Sequence, residues 1–221
     1  MIRSAFEVFR KDIHSEFRTR YAMNALVMFV VVALSIILFS LGDESVSPGV
    51  LSGILWVIIF FSGMSGLSRT FVSEEERGTV LTLQLLTEPV AVYAGKLLFN
   101  MVLTVCLNMF IAVCYVLLVQ QFVVKSPMLF WVTILLGSLG IAAAATILAA
   151  IIAKANTKGT LYPVLAFPIM LPLLLTVMNA TRLATEGALL SEALGEFQVL
   201  VAYTVVIVAV SVILFDFVWK D

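Results

Sequence analysis

The stretch PGVLSGILWVIIFFSGMSGLSRTFVSEEERGTVLTLQLLTEP, residues 48–89, joins a long apolar run to the one strongly charged stretch in the middle of the chain. A helix needs about 20 mostly apolar residues to cross the hydrocarbon core of a membrane, and residues 48–71 supply them. Residues 73–89 then bring three consecutive glutamates and an arginine before the sequence becomes apolar again. This order indicates a membrane-spanning helix, a surface loop and a return into the membrane.

The composition of the whole chain agrees with this interpretation. Of its 221 residues, 62% are hydrophobic and 12% are charged, and the mean hydropathy is +1.13. In soluble domains about a quarter of the residues are charged. A net charge of -1 and a pI near 5.8 give no sign of a nucleic-acid partner. The first residues lack the continuous apolar core of a signal peptide, so we expect the N-terminus to be retained.

Six apolar runs are long enough to span the membrane. We therefore expect an all-α integral membrane protein with one transmembrane domain over residues 1–221. An even number of spans places both ends of the chain on the same side. The expected spans are residues 21–41, 48–71, 91–120, 128–153, 160–181 and 198–218.

The distribution of lysine and arginine predicts the orientation. Counted outside the spans and at their ends, eleven of these residues fall on the side that carries both termini and residues 73–89, and only Lys125 and Arg182 fall on the other. Positive residues accumulate on the cytoplasmic side of membrane proteins. We therefore expect both termini and residues 73–89 in the cytoplasm, and residues 182–197 outside it.

The segment before the first span carries an apolar stripe at helical spacing. Arg3, Lys11 and Arg18 lie away from this stripe, as in a helix that rests on an anionic membrane surface. We expect an interfacial helix at residues 1–20; the alternative is a cytoplasmic extension of the first membrane helix. The stripe consists of Ile2, Phe6, Phe9, Ile13 and Phe17.

The sequence offers little material for covalent chemistry or metal binding. His14 is the only histidine, and the pattern places it among charges on the cytoplasmic side. Cys106 and Cys114 stand eight residues apart on one predicted helix, about 12 Å at the helical rise, which is too far for a disulfide. No GxxxxGK motif followed by Ser or Thr occurs in the chain. We expect no catalytic or metal site, and if ATP drives the protein, another chain binds it.

Ionisable residues near the spans argue against proton-coupled transport. Such transport places charged or histidine side chains at membrane depth. Here the candidates all fall near cytoplasmic ends of spans, where long side chains usually reach back to the surface as anchors. They are Arg69, Lys96, Lys154 and Asp216.

Small residues and prolines mark two of the later spans. Gly137 and Gly140 give the fourth span a smooth face for close helix packing, within the chain or across a dimer. Pro163, Pro168 and Pro172 each remove a backbone donor from the fifth span. We expect this helix to be kinked or partly unwound, either as a structural feature or as a moving or pathway-lining element.

Residues 73–89 carry a helix-start signal. Ser73 followed by Glu76 has the pattern of a capping box, which predicts a short helix that stops before Pro89. Its apolar side chains need either the membrane surface or a partner protein. The glutamates at its start favour a partner with complementary charge. The apolar side chains are Val80, Leu81, Leu83, Leu85 and Leu86.

Several motifs follow one another over nearly the whole chain: Pro48-Gly49, Gly53-x-x-Trp56, Arg69-x-Phe71-x-x-Glu74-x-x-x-Gly78-Thr79 with Pro89 and Lys96, and Phe167-Pro168-x-x-Leu171-Pro172-Leu173-Leu174. In this order they resemble the B subunit family of the cytochrome c maturation haem exporter. Arg77 stands where family members usually have aspartate, and Thr87-Glu88-Pro89 replaces a more proline-rich loop.

The resemblance implies a permease of the type 2 ATP-binding-cassette exporter fold in a bacterial inner membrane, with haem as possible cargo and ATP bound by a partner. It further implies four partners: a cytoplasmic ATPase subunit, a haem-handling membrane subunit, a small single-span subunit and a haem chaperone. The loop would act as the coupling helix. Its expected ATPase contacts are Glu74, Glu75, Glu76, Arg77, Gly78, Thr79, Leu83 and Leu86.

Other functions stay open at this point. The nearest alternative is a type 2 exporter permease for another cargo, such as a lipid-linked glycan or a drug. A membrane scaffold without an ATPase partner is a third possibility. A membrane enzyme ranks last, because these residues supply no pairing of a nucleophile with a base.

Overall fold

A computed structural model describes residues 2–19, 21–42, 45–76, 78–154 and 162–220, and within these ranges the regular structure is helical. In these described ranges nine α-helices follow one another, with a 3₁₀ turn at Leu190–Ala193 before the last. They are α1 (Ile2–Thr19), α2 (Tyr21–Leu41), α3 (Pro48–Leu67), α4 (Arg69–Glu76), α5 (Val80–Leu86), α6 (Pro89–Leu118), α7 (Pro127–Lys154), α8 (Tyr162–Glu186) and α9 (Leu194–Lys220).

Five stretches of the described chain are long and apolar enough to cross a membrane. They correspond to five of the six expected spans and confirm an all-helical membrane protein. The remaining expected span corresponds to α2, whose described apolar part, Leu26–Leu41, is shorter than the other five. The five stretches are Pro48–Glu76, Pro89–Leu118, Pro127–Lys154, Tyr162–Glu186 and Leu190–Trp219.

Helix α7 lies at the centre of the bundle, in contact with α3, α4, α6, α8 and α9. Its glycines allow this close packing. A β-carbon at Gly137 would collide with the Trp56 ring, and one at Gly140 would lie 2.6 Å from a methyl carbon of Leu173. The smooth face of α7 therefore packs against other helices of the same chain.

Helix α8 remains helical through its prolines. Pro168 and Pro172 lie inside the helix, while Pro163 lies in its first described turn. The expected partial unwinding is therefore absent from residues 162–186, and a kink at Pro163, Pro168 and Pro172 stays a prediction. The Tyr203 hydroxyl of α9 donates to the Ile169 carbonyl at 3.0 Å, which supplies an external partner to the backbone between the two inner prolines.

The capping box predicted at Ser73 is wrong, because Ser73 lies inside α4, which follows α3 almost without a break. Gly78 ends α4 in the left-handed conformation, with φ +66. The Gly78 amide donates to the Glu75 carbonyl and the Thr79 amide donates to the Glu74 carbonyl, each at 3.0 Å. This is the Schellman pattern of a helix end. The glycine after the glutamates was thus a stronger local signal than the serine before them.

The loop helix is shorter than expected for the same reason. Helix α5 begins only after Thr79 and ends at Leu86. Pro89 then occupies the first position of α6, two residues before the expected start of that span. Proline suits this position because its missing N–H would have no helical partner there.

The segment expected outside the membrane, residues 182–197, belongs largely to helices. Helix α8 continues to Glu186, beyond the expected end at residue 181, and α9 already begins at Leu194. Gly187, with φ +90, makes the turn between them. Asp43 and Glu44, between the first two expected spans, lie outside the described residues.

Helix α1 packs on α6 through a face that the apolar stripe did not predict. Val8 is buried, and a β-carbon at Gly95 would lie 2.7 Å from that of Val8. At the start of the stripe Ile2 is 87% exposed and Phe6 55%, whereas Phe9 and Ile13 are half-buried. The side chains of Phe17 and Arg18 lie outside the described residues, and the membrane-surface position of α1 stays a prediction.

Candidate functional site at the end of the bundle

Four charged side chains from α1, α4 and α6 meet where α4 ends. The Lys96 ammonium lies 2.7 Å from Glu74 Oε1 and 2.9 Å from Asp12 Oδ2, and Lys11 forms a further ion pair with Glu74. Lys96 is only 2% exposed and Glu74 5%. We call Lys11, Asp12, Glu74 and Lys96 the ion cluster.

The ion cluster is neutral and well bonded. It contains two ammonium groups and two carboxylates, and the Lys96 ammonium also donates to the Thr70 carbonyl at 3.1 Å. The ring of Phe71 lies 5.8 Å from the same ammonium. An isolated buried charge is costly, whereas a buried charge whose hydrogen bonds are satisfied by partners is tolerated. Lys96 therefore links α6 to α1 and α4 at the same time.

Glu74 also connects the ion cluster to α5. Its second carboxylate oxygen accepts a hydrogen bond from the Thr79 hydroxyl. Thr79 is the residue that precedes the first turn of α5. Glu74 thus fixes the start of α5 to α6 through Lys96 and to α1 through Lys11.

Helix α5 presents apolar side chains away from the bundle. Leu81 is 70% exposed, Leu85 86% and Leu86 78%, while Leu83 is half-buried against the core. A short helix that exposes three leucines beside charged residues has the composition of a docking surface. We call Leu81, Leu85 and Leu86 the leucine face.

The opposite side of α5 is tied to the end of α9. The Gln84 side-chain amide donates to the Trp219 carbonyl at 2.6 Å. Trp219 in turn packs on Phe215 and Phe71, at ring distances of 5.3 and 6.1 Å. Helix α5 is therefore tied at its start to the ion cluster and at Gln84 to α9.

The three predicted glutamate contacts have different environments. Glu74 is buried in the ion cluster, Glu75 is half-buried, and Glu76 is exposed and forms an ion pair with Arg69 at 3.2 Å. Arg77, the fourth predicted contact, lies outside the described residues. Glycines and prolines singled out in α7 and α8 belong to the packing of those helices and not to the ion cluster.

Sequence reasoning missed the two residues that complete the ion cluster. Lys96 was interpreted as a surface anchor, which is wrong because anchoring requires an exposed ammonium group. Asp12 was not singled out at all. A signal was present: Asp12 follows Val8 by four residues on the side of α1 away from the stripe, and Lys96 directly follows the glycine on which Val8 packs.

A bundle of long apolar helices, with the buried ion cluster at one end, defines a polytopic membrane protein. The particular family follows from the sequence: residues 3–217 match the family model described as CcmB protein, and the chain belongs to that family. It is thus a membrane component of a haem exporter for cytochrome c maturation and not itself the ATPase. A search of curated proteins found no match to the chain.

Proposed function

We propose that this chain is the permease subunit through which ATP hydrolysis in a cytoplasmic partner drives haem export, or haem release to a chaperone. The observation that carries the proposal is the leucine face: three exposed leucines on a helix that the ion cluster and α9 hold in place. A helix anchored on one side and apolar on the other is suited to receive a movement from a partner and pass it on.

The proposed contact with the ATPase consists of the leucine face and the exposed part of the loop. Glu76 and Gly78 are exposed beside it and Glu75 is half-buried, and together with Thr79 and Leu83 they complete the surface. Arg77 stays an expected contact from the sequence alone. Glu74 has a different part in this proposal. Its carboxylate faces Lys96 and Lys11, so it supports the contact from inside rather than touching the partner.

In this proposal the chain acts mechanically on partners that handle haem. The sequence contains one histidine, His14, and it lies on α1 rather than in a span. The partners are a haem-handling membrane subunit, a small single-span subunit and an external haem chaperone. We place six spans in a bacterial inner membrane, with both termini and α5 in the cytoplasm.

Complementation tests the proposal. The chain and its cognate ATPase are expressed in a bacterium that lacks its own haem-exporter permease and ATPase. Haem covalently attached to c-type cytochromes is then measured, together with the ATPase that co-purifies with the chain. We expect restored haem attachment.

A triple substitution tests the leucine face itself. Leu81→Ala, Leu85→Ala and Leu86→Ala together should lower ATPase co-purification and haem attachment at least tenfold, because exposed apolar anchors carry much of the energy of such contacts. The matched control is alanine at three exposed leucines of α6: Leu98, Leu117 and Leu118.

Two results would count against the proposal. Equal ATPase recovery from the triple variant and its control would remove the leucine face from the contact and favour a scaffold without an ATPase partner. Normal ATPase binding without haem attachment would instead favour a permease for another cargo, such as a lipid-linked glycan or a drug.

A further inference from the structure

Helix α6 carries a polar face that continues from the ion cluster into the membrane-spanning part. Its four residues recur every fourth position, which places them on one side of the helix. Each is at most 2% exposed, although α6 is one of the apolar spanning stretches. Polar side chains at this depth are costly unless they are paired. The four residues are Lys96, Asn100, Thr104 and Asn108.

Two of these residues make the same pair with α7. The Asn100 amide donates to the Thr146 hydroxyl at 2.8 Å, and the Asn108 amide donates to the Ser138 hydroxyl at 2.9 Å. Both hydroxyls give their own proton to a carbonyl of α7, so each must accept from the asparagine. This fixes both asparagine side chains with the amide nitrogen towards α7 and the oxygen Oδ1 free for another donor.

The two asparagines differ in what reaches Oδ1. The Thr70 hydroxyl lies 3.1 Å from Oδ1 of Asn100. Oδ1 of Asn108 is buried and has no hydrogen-bond partner among the described residues. The Thr70 hydroxyl also lies 2.8 Å from the Leu67 carbonyl, and its one proton can go to only one of the two acceptors. Oδ1 of Asn100 therefore has one polar contact, whereas Oδ1 of Asn108 has none within the described chain.

The register between the helices shows which residue stands opposite Asn108. Glu74 contacts Lys96, and Thr70 contacts Asn100. A step of four residues towards the N-terminus of α4 therefore matches a step of four residues towards the C-terminus of α6. Helix α3 leads into α4 with only Ser68 between them, and the same register sets Ser62 opposite Asn108. Within the described chain the Ser62 hydroxyl is also buried without a hydrogen-bond partner.

Thr104 adds a third such group between the two layers. Asn100 pairs with Thr146 and Asn108 with Ser138, so the same register sets Thr104 opposite Ala142, which has no polar side-chain atom. The Thr104 hydroxyl is buried and, in the part of the chain that the structure describes, has no hydrogen-bond partner. Two of these unpaired polar atoms, on Thr104 and Asn108, thus lie one turn apart on α6, and the third, on Ser62, lies on the facing helix α3.

We propose that Ser62, Thr104 and Asn108 form a buried hydration site between α3, α6 and α7, in which water supplies the hydrogen bonds that these three groups lack within the described chain. The chemistry of the three groups selects this ligand. None is charged, two can donate and accept, and Oδ1 of Asn108 only accepts. A small neutral molecule with both functions meets all three needs, and buried water typically makes about three such hydrogen bonds.

Removing one hydroxyl at a time tests the site, because a hydrated site and a dry site predict opposite changes in the thermal midpoint. Ser62→Ala and Thr104→Val are made in the chain bound to its ATPase, and the thermal midpoint is measured. If the site holds water, each variant removes one hydrogen bond between the protein and that water, and the thermal midpoint falls by about 2–4 °C. If the site is dry, each variant removes an unsatisfied buried hydroxyl, and the midpoint stays unchanged or rises, which would overturn the proposal.

A control and a direct observation complete the test. Thr133→Val removes a buried hydroxyl that bonds within its own helix, to the Leu129 carbonyl at 2.8 Å, and should lower the midpoint less than either variant. A map of the complex that resolves ordered water should show density between Ser62 and Asn108. A direct bond between these two side chains without water density would refute the site even if both midpoints fell.

Discussion

An ion pair stands at each end of the bundle, and the two pairs have nearly the same geometry. At one end Lys96 lies 2.7 Å from Glu74, and at the other Arg182 lies 2.9 Å from Glu186. Their burial differs sharply. The side chains of Lys96 and Glu74 are 2% and 6% exposed, whereas those of Arg182 and Glu186 are 43% and 45% exposed.

Burial and sequence separation together decide what each pair does. Arg182 and Glu186 stand four residues apart on α8, so their contact adds no link between elements. Lys96 and Glu74 are 22 residues apart and join α6 to α4, with Asp12 joining α1 as well. Distance alone would rank the two pairs equal, but only the buried one holds separate helices in a fixed arrangement.

The largest expected effect comes from Lys96→Met, which keeps the length of the side chain and removes its charge. Asp12 and Glu74 would lose their shared buried partner, a kind of loss that costs about 3–5 kcal/mol of the free energy of unfolding. We expect a large fall in the thermal midpoint of the purified chain and loss of haem attachment in the complementation assay.

Lys154→Met is the matched control, because Lys154 is an exposed lysine at the end of α7. It should change stability by less than about 0.5 kcal/mol, as expected for a surface position. Equal midpoints for Lys96→Met and Lys154→Met would break the comparison, since burial would then not distinguish the two lysines.

The next-largest expected effect concerns two glycines with a left-handed backbone conformation, Gly78 at one end of the bundle and Gly187 at the other. Alanine is strained at φ +66 or φ +90, at a cost of about 1–2 kcal/mol at either position. Gly78→Ala and Gly187→Ala should therefore lower the thermal midpoint similarly. Only Gly78→Ala should also weaken ATPase co-purification, because Gly78 sets where α5 begins.

A matched variant separates strain from added bulk in this prediction. Gly195 lies in α9 without a positive φ and with open space around its β-carbon position, so Gly195→Ala should be neutral or slightly stabilising. Equal loss of ATPase binding from Gly78→Ala and Gly187→Ala would mean that general destabilisation, and not the geometry of α5, controls the contact.

The membrane helices were predictable because apolar length is a local property. Five expected spans match spanning stretches of the described chain, and the central α7 has the small residues that its position requires. Boundaries shifted by several residues wherever a span continued past the apolar run, as in α8 with Arg182 and Glu186. Charged residues at helix ends extend a helix without making it more apolar, so hydropathy misses them.

The ion cluster was not predictable, because its contacts depend on how distant segments pack. Asp12 and Lys96 are 84 residues apart. The pair that Asp12 makes on its own helix, with the part-exposed Lys11 at 3.6 Å, does not predict its burial. At Ser73 two local signals competed, and the outcome depended on α4 following directly from α3. For α1, the pattern revealed the most apolar face, while the face that packs on α6 is the one with Val8 and a paired carboxylate.

The smallest expected effect completes the comparison. Arg182→Met removes an exposed pair within one helix, and such pairs are worth about 0.3–0.5 kcal/mol. The thermal midpoint should therefore change by about 1–2 °C at most in low salt, and the difference should shrink as salt screens the pair. Midpoints measured at two salt concentrations check this. A loss that approaches that of Lys96→Met would mean that Arg182 holds something besides Glu186, and its 3.0 Å bond to Asn179, which itself donates to Glu196 near the start of α9, would be the first contact to examine.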